Sequence, residues 1–312
     1  MESKMNQFKI GTYIAGWNEG GIQKLRYNCL DFINYAFAVP TEDGDIRPFA
    51  NPDFVHQVVK EAHEHGVTIV ISVGGWSWQD VPLEATFEKA TETPEKIERL
   101  AKAITAVVDE FDFDGADMDW EYPRIHTAAA NEKLLELLSA AMKERGKLLT
   151  AAVFAGVSAL DNGNDHLGNS VKDIVYGFTD RALELFDWIN LMVYDGGNGA
   201  LHSSYDFALR SGRMWRDERK VPADKLVLGV PFYGRPGGAY WKILAAHPDA
   251  DQHDVKMMGD IEAHYNGIPT LQAKTRFAME ELGGVMSWEI SEDAEEDDKS
   301  LLLAMAKEAG RV

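Results

Sequence analysis

The segment Asp112-Phe113-Asp114-Gly115-Ala116-Asp117-Met118-Asp119-Trp120-Glu121-Tyr122-Pro123 carries the densest run of groups able to do chemistry. Read as a strand, it puts residues of equal parity on one face, so Asp117, Asp119 and Glu121 point the same way, roughly 6 to 7 Å apart in succession. Asp114 points elsewhere, and Met118 and Trp120 make the opposite face apolar. Carboxylates this close do not all ionise freely, because each charge raises the cost of the next, and one of them keeps its proton near neutral pH. Glu121 is therefore a candidate general acid. Burying an unpaired charge in an apolar core costs several kcal/mol, so the whole row is expected to emerge at an open end of the fold.

Rival readings of the same residues fare worse. A charged surface turn would not alternate with Met118 and Trp120. A calcium loop starting at Glu110 would use Asp112, Asp114, Gly115 and Glu121, but its first position is Glu, Asp117 sits where an apolar residue belongs, and Pro123 would obstruct the exit helix. His63 and His65 diverge on a helix and lack an acidic partner at ligand spacing, so no metal is expected. Ser203, Ser204 and His202 do not form a nucleophile elbow. The loop Gly196-Gly197-Asn198-Gly199 is read as shaping a cleft rather than cradling phosphate, and no cofactor is implied.

What must position the carboxylates is a series of short apolar runs with strand character: Phe8 to Ile14, Leu30 to Ala38, Val67 to Val73, Gly115 to Asp119, Leu148 to Phe154, Trp188 to Val193, Leu226 to Val230 and Val285 to Trp288. Several are nearly continuous in β-branched or aromatic residues, as strands covered on both faces should be. Helical patterns alternate with them. Asn51-Pro52 and Thr93-Pro94 are helix starts with proline at the first helical position. Ile97, Leu100, Ala101, Ile104, Val107 and Val108 recur at helical spacing, as do Leu134, Leu135, Leu138, Ala141 and Met142, and further helices are expected over Phe207 to Arg219, Thr270 to Leu282 and Lys299 to Ala309. The alternation predicts an α/β chain folded as a single (β/α)8 barrel domain over residues 1–312, with the carboxylate row at the C-terminal mouth of its strands. A doubly wound sheet is disfavoured, because no glycine-rich phosphate turn follows the early strands.

With 312 residues, 45% of them hydrophobic, the chain can bury a large core. Its 31 Lys and Arg against 51 Asp and Glu give a net charge of −20, which repels phosphate backbones and anionic lipid surfaces, so neither nucleic acid nor membrane is an expected partner. Cys29 is the only cysteine and lies in an apolar run, which predicts a buried thiol. Met1-Glu2-Ser3-Lys4-Met5-Asn6-Gln7 lacks the apolar core of a signal peptide, so a cytoplasmic location is expected for the sequence as written, with export after removal of a signal as the alternative.

Asp114-x-x-Asp117-x-Asp119-x-Glu121, followed by Tyr122-Pro123, resembles the active-site signature of family 18 glycoside hydrolases, the chitinase family. The resemblance continues in order through Tyr13 to Trp17, Tyr35-Ala36-Phe37, Ser72-Val73-Gly74-Gly75-Trp76, Met192-Val193-Tyr194-Asp195, Pro231-Phe232-Tyr233-Gly234-Arg235 and Gly283-Gly284-Val285-Met286-Ser287-Trp288. It implies that Glu121 protonates the glycosidic oxygen while Asp119 orients the substrate acetamido group and stabilises the oxazolinium formed when that group attacks C1. It also implies that Asp117 shares a proton with Asp119 and is held by Ser72 and Tyr13, that Tyr194 donates to the acetamido oxygen, and that Asp195 bonds the sugar. Trp288 then resembles the floor of the subsite before the scissile bond, with Phe37 beside it, and Trp76 the stacking residue after it. Gly74 and Gly75 resemble positions that leave room near the ligand, Tyr122, Met192, Tyr233 and Arg235 fall among the substrate-binding positions, and Asp114 belongs to the motif as a structural residue. Trp120 and Trp188 are read as core, and Trp17, Trp78, Trp215 and Trp241 are left unassigned.

Many members of that family insert a small α/β domain between the seventh and eighth strands. Here the stretch from Arg235 to Gly283, which must also hold a barrel helix, is too short for one, so an open groove and internal cleavage are expected. The resemblance implies chitin or chito-oligosaccharides as partners of a monomer. An endo-β-N-acetylglucosaminidase acting on N-glycans, a peptidoglycan-directed or spore-wall glycosidase, and a non-enzymatic chitinase-like lectin are the alternatives; the intact Glu121 and the Trp-Glu-Tyr-Pro ending favour a chitinase.

Overall fold

The strand-like runs close into a cylinder in the computed structural model, which describes residues 8–312; the segment Met1–Gln7, read above for a signal, lies outside the described residues. The barrel strands are β1 (Lys9–Ala15), β2 (Phe32–Ala38), β3 (Thr68–Gly75), β4 (Gly115–Trp120), β5 (Leu148–Phe154), β6 (Trp188–Met192), β7 (Leu226–Pro231) and β8 (Gly284–Trp288). Each pairs in parallel with its sequence neighbours, and β8 returns to β1, so the sheet has no free edge. This is the (β/α)8 barrel that the alternating pattern predicts.

The helices begin where their caps dictate. Asn51 Oδ1 accepts from Phe54 N–H at 3.1 Å to start the helix Pro52–Glu64, and Thr93 Oγ1 accepts from Lys96 N–H at 3.3 Å to start Pro94–Glu110. Ile97, Leu100, Ala101, Ile104 and Val108 of the second helix are buried, as their spacing predicts, while Val107 is half-buried. The helix Ala128–Glu144 starts before its periodic residues, and Ile268–Glu281 and Leu301–Glu308 fall where helices are expected. The expected helix from Phe207 to Arg219 is instead an α-helix over Tyr205–Arg213 followed by a π-helical turn, Met214–Glu218. The wider turn sets Met214 and Trp215 inward together, and Trp215 Nε1 donates to the Phe154 carbonyl at 3.1 Å.

Two apolar layers result. Inside the barrel lie Tyr13, Phe32, Ala152, Trp188, Met192 and Met286, while Met118 and Trp120 turn outward into the layer between strands and helices. Trp120 stacks on Phe87 at 4.9 Å and Trp188 packs on Phe32 at 5.0 Å, so both belong to the core, as does Cys29. Between β7 and β8 the chain makes a small excursion: the helix Tyr240–Ala246, a ribbon pairing Val255–Met258 with Ile261–His264, and then the barrel helix Ile268–Glu281, which precedes the eighth strand. No helix of the described residues is long and apolar enough to cross a membrane.

Candidate active site

Register brings Ser72 on β3, Asp117 on β4 and Thr150 on β5 side by side. Asp117 Oδ2 accepts from Ser72 Oγ at 2.9 Å and from the Tyr13 hydroxyl of β1 at 2.8 Å, and Oδ1 accepts from Thr150 Oγ1 at 2.7 Å and from Asn190 Nδ2 of β6 at 3.3 Å. The expectation that the whole acidic row emerges at the barrel mouth is corrected here, because Asp117 is fully buried inside the barrel and Asp119 only 3% exposed. The polar belt offsets that burial for Asp117. Burial pushes its carboxyl up, and the hydrogen bonds from Thr150, Tyr13, Ser72 and Asn190 pull it back. Thr150 and Asn190 are polar residues inside otherwise apolar strand runs; sequence reasoning passed over them because only the register places them at the carboxylate.

Asp119 has no such company. Its Oδ1 is buried without a hydrogen-bond partner, and burial, then the charges of Glu121 and Asp117, push its carboxyl well above the usual range. Gly74 pairs with it across β3 and β4 at a φ of 121°, where a Cβ would fall 2.2 Å from the Asp119 carbonyl oxygen. Gly75 is likewise closed on by Phe37, 2.7 Å from a Cβ built there, so both glycines serve close approach of neighbouring groups rather than an open turn. Glu121 follows the end of β4 and is partly exposed. Burial, opposed by Tyr122 and reinforced by the Asp195 charge, raises its carboxyl to about 7. Of the row, Glu121 reaches the mouth with a proton to give near neutral pH.

The walls come from the other strand ends. Burial, then the charges of Asp119 and Glu121, hold the proton on the Tyr194 phenol, whose ring meets Tyr233 edge-on at 6.3 Å. Asp195 is gripped by Arg235, Nε to Oδ1 at 2.8 Å and Nη2 to Oδ2 at 2.9 Å, and faces the buried His202 at 3.2 Å. Burial would raise the Asp195 carboxyl, but His202 and Arg235 hold it far below the usual range. Met192 is buried in the barrel interior, and Tyr122 meets Phe154 edge-on at 5.5 Å.

Trp288 stacks on Phe37 at 5.6 Å and leans on Tyr13 at 5.4 Å. Trp17, given no role from sequence, extends this floor: it stacks on Phe37 at 5.9 Å, lies 6.2 Å from Trp288 and is 67% exposed. Trp76 stands half exposed just beyond the end of β3. Asp114 lies before the start of β4, at the other end of that strand, where its Oδ2 accepts from Ile69 N–H at 2.8 Å and faces His63 at 3.2 Å. The segment after it is a strand rather than the exit helix of a calcium loop, and no group of three His, Cys, Asp or Glu among the described residues is arranged to hold a metal.

An acid poised near neutrality, an unpaired buried carboxyl beneath it and an aromatic floor can together protonate a leaving oxygen and face a developing positive charge. The sequence matches the Glycosyl hydrolases family 18 description over residues 9–293. It is 30% identical to a chitinase-like effector of Moniliophthora roreri over 72% of this chain and 57% of that protein, and 30% identical to Chitinase 63 of Streptomyces plicatus over 75% of this chain and 44% of that protein. The chain thus spans about half the length of these relatives. Among solved structures, a GH18 chitinase of Flavobacterium johnsoniae superposes with a TM-score of 0.79 and 27% identity, covering 97% of this chain and 94% of that one.

Proposed function

The chain belongs to glycosyl hydrolases family 18, and from that premise we propose that it is a retaining chitinase that cuts β-1,4 bonds between N-acetylglucosamine units within the chain by substrate-assisted catalysis. The observation that carries this reading is the contrast along β4: Asp117 saturated with hydrogen bonds, Asp119 buried with a free oxygen, and Glu121 protonated near neutral pH at the mouth. Glu121 gives its proton to the glycosidic oxygen. The substrate acetamide attacks C1 from the other side as the bond to the leaving oxygen breaks, the Asp119 carboxylate stabilises the positive charge of the oxazolinium, and Tyr194 donates to the acetamido oxygen. Water then opens the ring, with Glu121 as the base, and the anomeric configuration is retained; the family is an exception to the two-carboxylate scheme. Trp288, with Phe37 and Trp17, supports the sugars before the scissile bond, and Trp76 the sugar after it.

Proton NMR of the protein with the N-acetylglucosamine pentamer tests the proposal. Early β-anomer at the new reducing ends supports it. Binding without cleavage would turn the reading to a chitinase-like lectin, and neither binding nor cleavage to another acetamido-sugar substrate such as an N-glycan. Between β7 and β8 the chain holds only the short helix Tyr240–Ala246 and short ribbons and turns ahead of the barrel helix, which supports an open groove and internal cleavage; release of disaccharide from a long soluble polymer at unchanged viscosity would refute that part.

A further inference from the structure

Glu292 ends the short turn Ile290–Glu292 that follows β8, and its surroundings differ from those of the acids on either side. Glu289 is bonded by Ser291, and Asp293 accepts from Ser300 Oγ and from the N–H groups of Ala294, Leu301 and Leu302. The Glu292 carboxylate, though mostly buried, has no hydrogen-bond or ion-pair partner among the described residues. It lines a recess of about 340 Å³ with Trp288, Tyr233, Arg235 and the Pro236–Gly238 turn, so it stands beside the aromatic floor.

A lone carboxylate on a binding wall calls for a donor from the ligand. The nearby cations do not meet that need: Arg235 commits Nε and Nη2 to Asp195, and both it and Lys242 act on Glu292 only through their charge, without a hydrogen bond or ion pair, as do the acids Glu289 and Asp195. An acetamide offers a carbonyl and a methyl group along with a single N–H, whereas an ammonium offers three donors and the opposite charge. The net charge of −20 also draws a polycation toward the protein.

We propose that Glu292 is a specificity-determining residue that seats a glucosamine unit, with its free ammonium, on the non-reducing side of Trp288, away from the scissile bond, so that partly deacetylated chitin is a preferred substrate class. This rests on the hydrolase reading above. The unit on Trp288 itself must still be acetylated, because its acetamide is the nucleophile. Burial and the Glu289 charge push the Glu292 carboxyl up to about 8, so it holds its proton near neutral pH until an ammonium beside it favours the anion and takes that proton's place.

The test is digestion of randomly half-acetylated chitin, with the products sequenced by mass spectrometry from their new reducing ends. The expected result is acetylated units at the first position and glucosamine enriched roughly fivefold at the second or third, the order a partly buried charge pair supplies. Glu292→Gln should return that position to the polymer's average composition, and Glu292→Lys should deplete glucosamine there. Composition is read regardless of how fast each variant turns over. Cleavage by the unaltered protein with random units at both positions, or unchanged enrichment in Glu292→Gln, would overturn the role of Glu292; absence of any cleavage, including of the fully acetylated pentamer, would instead overturn the hydrolase reading.

Discussion

Asp117 and Asp119 stand two residues apart on one strand, yet Asp117 accepts hydrogen bonds from Tyr13, Ser72, Thr150 and Asn190, whereas Asp119 Oδ1 accepts none. Parity puts both carboxyls inside the barrel, and register decides which one finds donors. The saturated residue fixes the geometry of the row. The unsatisfied one is destabilised as an anion and so is primed to meet a cation that forms during reaction.

That arrangement costs stability in a pH-dependent way. The folded-state pKa of Asp119 lies above its unfolded value of about 3.9, so the penalty is absent at low pH and grows as pH rises from there toward the folded value. Asp119→Asn should therefore be more stable than the unaltered protein by a margin that widens between pH 5 and pH 8, while turnover falls roughly a hundredfold or more. Thermal melts at both pH values check it; a margin independent of pH would remove the buried charge as its cause.

Glu121→Gln should leave the fold and oligosaccharide binding intact and reduce kcat by roughly 10²- to 10⁴-fold, the usual share of a positioned acid. Because only the protonated form of Glu121 gives a proton, activity of the unaltered enzyme should fall as pH rises through about 7. A pH–rate profile on the pentamer reads this limb. A flat profile from pH 6 to pH 9, or near-normal turnover in the variant, would take the acid role from Glu121.

The alternation of apolar runs and capped helices makes the barrel legible, and the parity of Asp117, Asp119 and Glu121 places them on one face. Depth was not legible. Thr150 and Asn190 look like ordinary strand residues until β5 and β6 are set in register with β4, so the sequence put Asp117 at the open mouth of the barrel when it belongs inside. Trp17 was missed for the same reason, since its stacking on Phe37 depends on two strand ends that meet only in the closed barrel. The π-helical turn at Met214–Glu218 departs from the helical period that the pattern assumed.

Trp17 and Trp120 give a matched contrast between an exposed platform and a buried ring. Trp17→Ala should leave the melting temperature nearly unchanged and raise KM for long oligosaccharides, because it removes stacking area from the floor. Trp120→Ala should cost about 3–5 kcal/mol of stability through the cavity it leaves against Phe87. Denaturant titrations and KM values for the pentamer and the dimer, measured on both variants, check this. Equal destabilisation by the two changes would sink it.

Lys274 is fully buried on the helix Ile268–Glu281 and donates to the Ser203 carbonyl at 2.8 Å, Ser203 Oγ at 2.7 Å and Asn266 Oδ1 at 2.8 Å. Ser203 Oγ in turn donates to the Val193 carbonyl at 2.7 Å, immediately before Tyr194, so the network braces the segment that carries the proposed acetamido donor. Burial, only partly offset by Asp254, lowers the lysine to about 7. Its folded-state pKa is thus depressed below the unfolded value of about 10.4, the unfolded chain binds the extra proton between those limits, and stability gained from this group rises with pH from about 7 and is lost as pH falls through it. Lys274→Met removes the titration and leaves acceptors on Ser203 and Asn266 short of a donor, at about 1–3 kcal/mol. The difference in unfolding free energy between the two proteins, which cancels every other titrating group to first order, should widen from pH 7 to pH 9.5 in favour of the unaltered chain, as the amine gives up one of its three donated bonds with its proton; parallel pH curves would show that the three acceptors hold Lys274 charged through that range.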